Sequence, residues 1–202
     1  MVADFIPSSA EVYRFLPEII LAVAGTVIML LTLFVRDRNS PSLGVVAVAS
    51  LVAAGVAALS AQFNPGSAFQ EMVKVDGFAT FFRVLVVLVG ILTVLASGQY
   101  LRRESAEPGE YYALLLFSVV GQCLMAISNE LIIMFIGLEI SSIASYILAG
   151  YLRDDRRAIE SALKYFLLGS FATAFLLYGI AWTYGLTGST SLTEIRGALT
   201  GL

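Results

Sequence analysis

The chain has 202 residues, 58% of them hydrophobic and 13% charged, with a formal net charge of -3 and a mean hydropathy of +0.87. Soluble domains are about 45–50% apolar and about 25% charged, so the composition excludes an ordinary soluble domain and fits a polytopic membrane protein. There is no basic footprint for nucleic acid; a single cysteine and no histidine exclude an internal disulfide and remove the usual metal and acid–base ligands.

The N-terminal flank MVADFIPSSAEVYRF sets Asp4 and Glu11 against Arg14 and lacks a basic n-region. The first apolar run is therefore read as a membrane helix, not a cleaved signal. That span covers about residues 13–35. Pro17 suits its first turn, and the helix dipole favours Glu18 beside it. A turn with Arg36, Arg38 and Pro41 leads to the second span, about 43–62, whose small residues permit close packing in lipid. Asn64-Pro65-Gly66 marks a turn in the loop 63–76. The third span, about 77–100, opens on Phe78, Phe81 and Phe82 and contains Arg83. One turn in, Arg83 reads as a side chain that snorkels to the interface.

The fourth span, about 111–127, is short but still long enough to cross a bilayer. Ser128-Asn129-Glu130 turns the chain into the fifth span, about 131–151. The sixth runs over about 158–184, and residues 185–202 read as a polar, glycine-rich tail. The fold class is thus all-α: one polytopic membrane domain of six transmembrane helices. Loops after the first, third and fifth spans carry Arg36, Arg38, Arg102, Arg103, Arg153, Arg156 and Arg157. The other side carries Arg14, Lys74 and Arg196, with Arg83 near that interface. This bias places both termini on the non-cytoplasmic side.

The stretch from Asn129 to Gly169 holds the chemistry. Glu139 sits near the middle of the fifth span, and Lys164 about two turns into the sixth. A charge at the centre of a membrane helix costs about 2.5–3.5 kcal/mol on translocon scales, so two of opposite sign on neighbouring helices suggest a polar interior path. Ser142 and Tyr146 lie three and seven residues beyond Glu139 and share its helix face, with Ser141 and Ser145 widening the stripe. These hydroxyls are expected to partner the carboxylate. Left without a partner it takes up a proton instead, the behaviour a proton relay requires. Glu160 and Lys164 stand at i and i+4, in the favourable order for a helical ion pair. The axial offset between Glu139 and Lys164 predicts a link through water or hydroxyls and no direct salt bridge. Glu18 is a further supporting candidate, and Cys123 reads as core. A phosphate-cradling loop, a nucleophile–base pair and a metal-ligand cluster are all missing. Neither covalent chemistry nor a bound cofactor is expected from this chain.

The blocks ELIIMFIGLEISSIASYILAGY from Glu130 and AIESALKYFLLGSFATAFLLYGIAWTYGLTGS from Ala158 resemble the N subunit of proton-pumping NADH:quinone oxidoreductase, respiratory complex I. FLPEIILAVAG from Phe15 and VDGFATFFRVLVVLVGIL from Val75 agree with it. The resemblance implies an antiporter-like, proton-translocating subunit without a redox group of its own. Glu139 matches the family's acidic residue on the fifth helix, and Lys164 its lysine on the sixth. NADH, flavin, iron–sulfur clusters and quinone are implied in partner subunits, both membrane and peripheral, and the location implied is a bacterial inner membrane. Subunits of the family carry further helices, one of them bearing another lysine, so this sequence is expected to be a fragment or a split subunit. Two other readings share the Glu-and-Lys pattern. One is a sibling subunit of a multisubunit cation/proton antiporter or a membrane-bound hydrogenase; the other is an inert membrane scaffold.

Overall fold

Backbone polar groups have no water to bond in lipid, so an apolar run of this length folds as a helix that satisfies itself. The computed structural model describes residues 7–34, 42–104, 106 and 108–200; Arg36, Arg38 and Pro41 lie outside the described residues. In chain order the elements are α1 (Ser9–Arg14), α2 (Leu16–Thr32), α3 (Ser42–Ala61), β1 (Gly66–Ala68) and β2 (Val73–Val75). There follow α4 (Gly77–Arg103), α5 (Pro108–Ile127), α6 (Leu131–Ala149), α7 (Arg156–Thr187) and α8 (Leu192–Thr200). Helices α3 to α7 are each long and apolar enough to cross a membrane, and α2 is a shorter apolar helix of 17 residues.

The ends of these helices follow local chemistry. Ser8 and Glu11 form a capping box at the start of α1, Asp76 caps α4 and Asp155 caps α7. Helix α7 stops at Gly188, whose φ of 73° is left-handed and suits glycine.

Helices α2 to α5 pack around one core, with Leu21, Ile28, Leu51, Val87, Leu116 and Cys123 buried in it. Small residues set the helix spacing. A methyl at Gly90 would stand 3.1 Å from both Leu51 Cδ2 and Val119 Cγ2, so α3, α4 and α5 meet there backbone to side chain. Helix α6 then lies directly on α5. A methyl at Gly121 would overlap the Gly137 carbonyl oxygen, and one at Gly137 would stand 2.8 Å from the Gly121 carbonyl oxygen. Helix α7 packs chiefly on α6, with α8 against its end, and Ile180 is its one buried residue among those described.

One end of the bundle is closed by a layer of short elements. Strands β1 and β2 pair antiparallel with Ala68 opposite Val73. Their connection is a rare run of left-handed non-glycine residues, Phe69, Gln70 and Glu71. Several contacts hold it: Glu11 accepts the Phe69 N–H at 2.9 Å, the Phe15 and Phe69 rings pack edge-on, and Asn129 donates to the carbonyls of Glu71 and Met72. Arg14 donates to the carbonyls of Asn64, Pro65 and Ser67, tying α1 to the hairpin. The loop read as a plain turn region thus contains a hairpin. The segment read as a polar tail differs as well. It extends α7 to Thr187 and forms α8, which buries Ile195 while Leu131 N–H bonds the Thr190 carbonyl and Leu192 N–H the Asn129 carbonyl.

Candidate functional site

Glu139 stands midway along α6 and is half-buried. Its position follows from the packing of the helix. Gly137, Ser141 and Ala144 occupy the face that meets α5, because only small side chains fit against Gly121. At 100° per residue that turns Glu139, Ser142 and Tyr146 to the opposite side. Tyr146 reaches α7 from there. Its ring meets Tyr165 and Phe166 edge-on, with centroids 4.7 and 5.8 Å away, and its hydroxyl lies over Gly169, where a methyl would overlap it. Neither the Glu139 carboxylate nor the Ser142 hydroxyl has a hydrogen bond or ion pair with a described residue.

The other serines do not serve the carboxylate as expected. Ser141 shares a hydrogen bond of 3.1 Å with Ser118 on α5, which also accepts from Gln122 Nε2. Ser145 returns its hydroxyl to the Ser141 carbonyl. The reason is rotational: both belong to the side of α6 that faces its neighbour or its own backbone.

Lys164 pairs with Glu160 one turn earlier on α7, and the two side chains are 68% and 64% exposed. The pair therefore lies on the open side of α7, away from the enclosed bundle. Gly150 packs against Ala162, and Tyr146 against Tyr165 and Phe166, so Lys164 sits near the level of the α6 C-terminus. From there to Glu139 is nine residues of helix, roughly 13 Å along the axis. The structure brings Glu160 and Lys164 together and leaves Glu139 apart from both.

A second ionic site is fully enclosed. Glu18, in the first turn of α2, accepts from Arg83 Nε at 2.8 Å and from Nη2 at 2.7 Å. Arg83 is 0% exposed and Glu18 1%. Arg83 Nη2 also donates to the Arg14 carbonyl at 3.1 Å. The snorkelling expected of Arg83 does not occur: a bidentate carboxylate on α2 is in reach, and both groups are buried. Glu18 is a helix-start acid, as its position implied, but also half of this pair. The signal that could have revealed it was two opposite charges, each about one turn from the same end of an apolar helix. Cys123 is buried and free, as its core reading implied.

Buried ionic groups, one half-buried intramembrane carboxylate among the described residues and apolar helices throughout define an all-α, multi-pass membrane protein. A family model described as "NADH:quinone oxidoreductase/Mrp antiporter, TM" matches residues 128–201, the stretch with Glu139, Glu160 and Lys164. NADH-quinone oxidoreductase subunit N 1 of Solibacter usitatus is 61% identical over 187 residues, which is 93% of this chain and 38% of that protein. Subunit N 2 of Koribacter versatilis is 44% identical over 204 residues, 97% of this chain and 42% of that protein. The solved respiratory complex I from Thermus thermophilus with bound aureothin contains a chain that matches with a TM-score of 0.73 at 30% identity, over 91% of this chain and 42% of its own length. The membrane-bound sulfane sulfur reductase, an archaeal respiratory membrane complex, matches with a TM-score of 0.75 at 20% identity, over 90% of this chain and 39% of that one, which is a likeness of fold. The chain belongs to the family of NADH-quinone oxidoreductase subunit N. It spans 38% and 42% of the length of the two curated relatives described.

Proposed function

We propose that the chain is part of a membrane subunit of a proton-translocating NADH:quinone oxidoreductase, with Glu139 as its proton-accepting group. The observation that carries this reading is the Glu139 carboxylate itself: mid-helix, half-open and unpartnered, within the stretch that the family model matches. A carboxylate without a partner on its own chain is open to a nearby change of charge, the coupling that a proton relay uses. Lys164 is the nearest such charge on α7. At roughly 13 Å and an effective dielectric constant near 20, a unit charge acts on Glu139 by about 1.3 kcal/mol. Ser142 and Tyr146, on the same face, would supply hydroxyls to water entering beside the carboxylate.

In this reading the chain is a non-redox part of the enzyme and performs no covalent step. NADH, flavin, iron–sulfur clusters and quinone belong to partner subunits, in a bacterial inner membrane. The end with α1, the hairpin and α8 faces the non-cytoplasmic side, because the arginine-rich turns lie at the other end. Glu139→Gln in the native assembly tests the proposal. It is expected to leave assembly intact and to lower proton translocation several-fold. Pumping at the wild-type rate would remove Glu139 from the path and favour an inert scaffold.

A further inference from the structure

A guanidinium offers five N–H donors. Three of those of Arg83 are used: Nε and Nη2 serve Glu18, and Nη2 also serves the Arg14 carbonyl. Arg83 Nη1 is buried and meets no acceptor among the described residues, and the buried Thr80 Oγ1 is likewise unpaired. The two residues stand at i and i+3 on α4, so they share a face. Thr80 also differs from several other helix threonines. Thr26, Thr93, Thr173 and Thr183 each donate to the carbonyl four residues earlier, at 2.8 or 2.9 Å. Thr80 makes no such bond, which leaves its hydroxyl turned to something else.

Buried polar atoms almost always find a partner, and two orphans on one helix face point to a shared one. We propose that Arg83 Nη1 and Thr80 Oγ1 bind an ordered internal water, which completes a Glu18–Arg83–Thr80 polar cluster between α2 and α4. The water accepts from Nη1 and shares a hydrogen bond with the threonine hydroxyl, within the usual range of two to four partners. Burial and charge narrow the alternatives. Arg83 is 0% exposed and Thr80 3%, so this chain's own atoms already seal the site and no added helix can reach it. Charge does the same: the guanidinium repels a cation, and Glu18 repels an anion.

A structure of the native membrane assembly that shows individual waters would display density in hydrogen-bonding reach of both atoms. Empty space there, or a protein group on Arg83 Nη1, would overturn the proposal. Two variants provide a separate check through the melting temperature of the assembly. Thr80→Ser keeps the hydroxyl and loses the methyl; Thr80→Val keeps the shape and loses the hydroxyl. A water site predicts that Val lowers the melting temperature more than Ser does. An equal or reversed order would mean that Thr80 acts by packing and would overturn the site. Proton translocation by Glu139 does not enter either readout, so the two proposals stand or fall separately.

Discussion

The α2–α5 bundle and the α6–α7 pair solve the same problem in opposite ways. Each holds acidic and basic side chains within apolar helices. In the first, Glu18 and Arg83 come from different helices, bond through two contacts and are sealed from outside. In the second, Lys164 pairs only with its own helix, and Glu139 has no partner among the described residues. A sealed pair has its charges fixed by mutual attraction and is a structural joint. A half-buried carboxylate without such a partner leaves its oxygens free for groups beyond the described residues. The difference locates stability in one region and responsiveness in the other.

The strongest way to break this contrast is to remove one member of the sealed pair. Glu18→Ala would strand the Arg83 guanidinium in an apolar site and cost about 3–5 kcal/mol, with lowered membrane abundance and melting temperature as the readouts. Replacing both residues by apolar ones of similar size should restore most of that loss, since the charges need each other more than the bundle needs them. If the single variant kept wild-type stability, the pair would not be a joint at all.

A smaller effect is expected at the seam between the regions. Gly121→Leu places a side chain where the Gly137 carbonyl oxygen and the Ser141 nitrogen already stand, the latter 2.6 Å from where a methyl would sit. Overpacking of this kind costs typically about 1–3 kcal/mol. It should push α6 off α5 while leaving the Glu18–Arg83 contact in place. Cysteine crosslinking across Ser118 and Ser141, now joined by a 3.1 Å hydrogen bond, would report the separation. Unchanged crosslinking would show that the seam tolerates bulk.

The smallest effect lies at the capped end of the sealed region. The Glu11 carboxyl is held below the ordinary carboxylate range, first by the Ser8 backbone N–H, then by the Phe69 N–H and the Ser8 hydroxyl. A depressed folded-state pKa contributes stability that is fully present above the unfolded value, roughly pH 4.3, and is lost as pH falls through the folded one. Hydrogen exchange at the Phe69 amide should therefore accelerate in acid and hold steady above that range. Exchange at Phe69 that ignores pH beyond its intrinsic dependence would show that Glu11 does not hold the hairpin.

Much of the chain was legible because lipid and helix geometry impose simple rules. The apolar runs, the acid beside Pro17 at the start of α2, the shared face of Glu139, Ser142 and Tyr146, and the Glu160–Lys164 spacing all follow from periods of a few residues. Other features were not. Strands of three residues carry too short a pattern to distinguish a hairpin from a loop. The roles of Ser141 and Ser145 depended on which face of α6 meets α5, and that was settled by Gly121 and Gly137 on two different helices.

Local sequence, then, determined that the chain is helical and membrane-embedded, where its ionisable residues fall along each helix, and which of them share a face. Only tertiary structure decided their partners. Glu18 and Arg83 are 65 residues apart, and no local period links them; α2 and α4, which run the same way and both pack on α5, bring them together. The same packing enclosed that pair and left Glu139 open, because a charge in an apolar helix is governed by the neighbours that close around it.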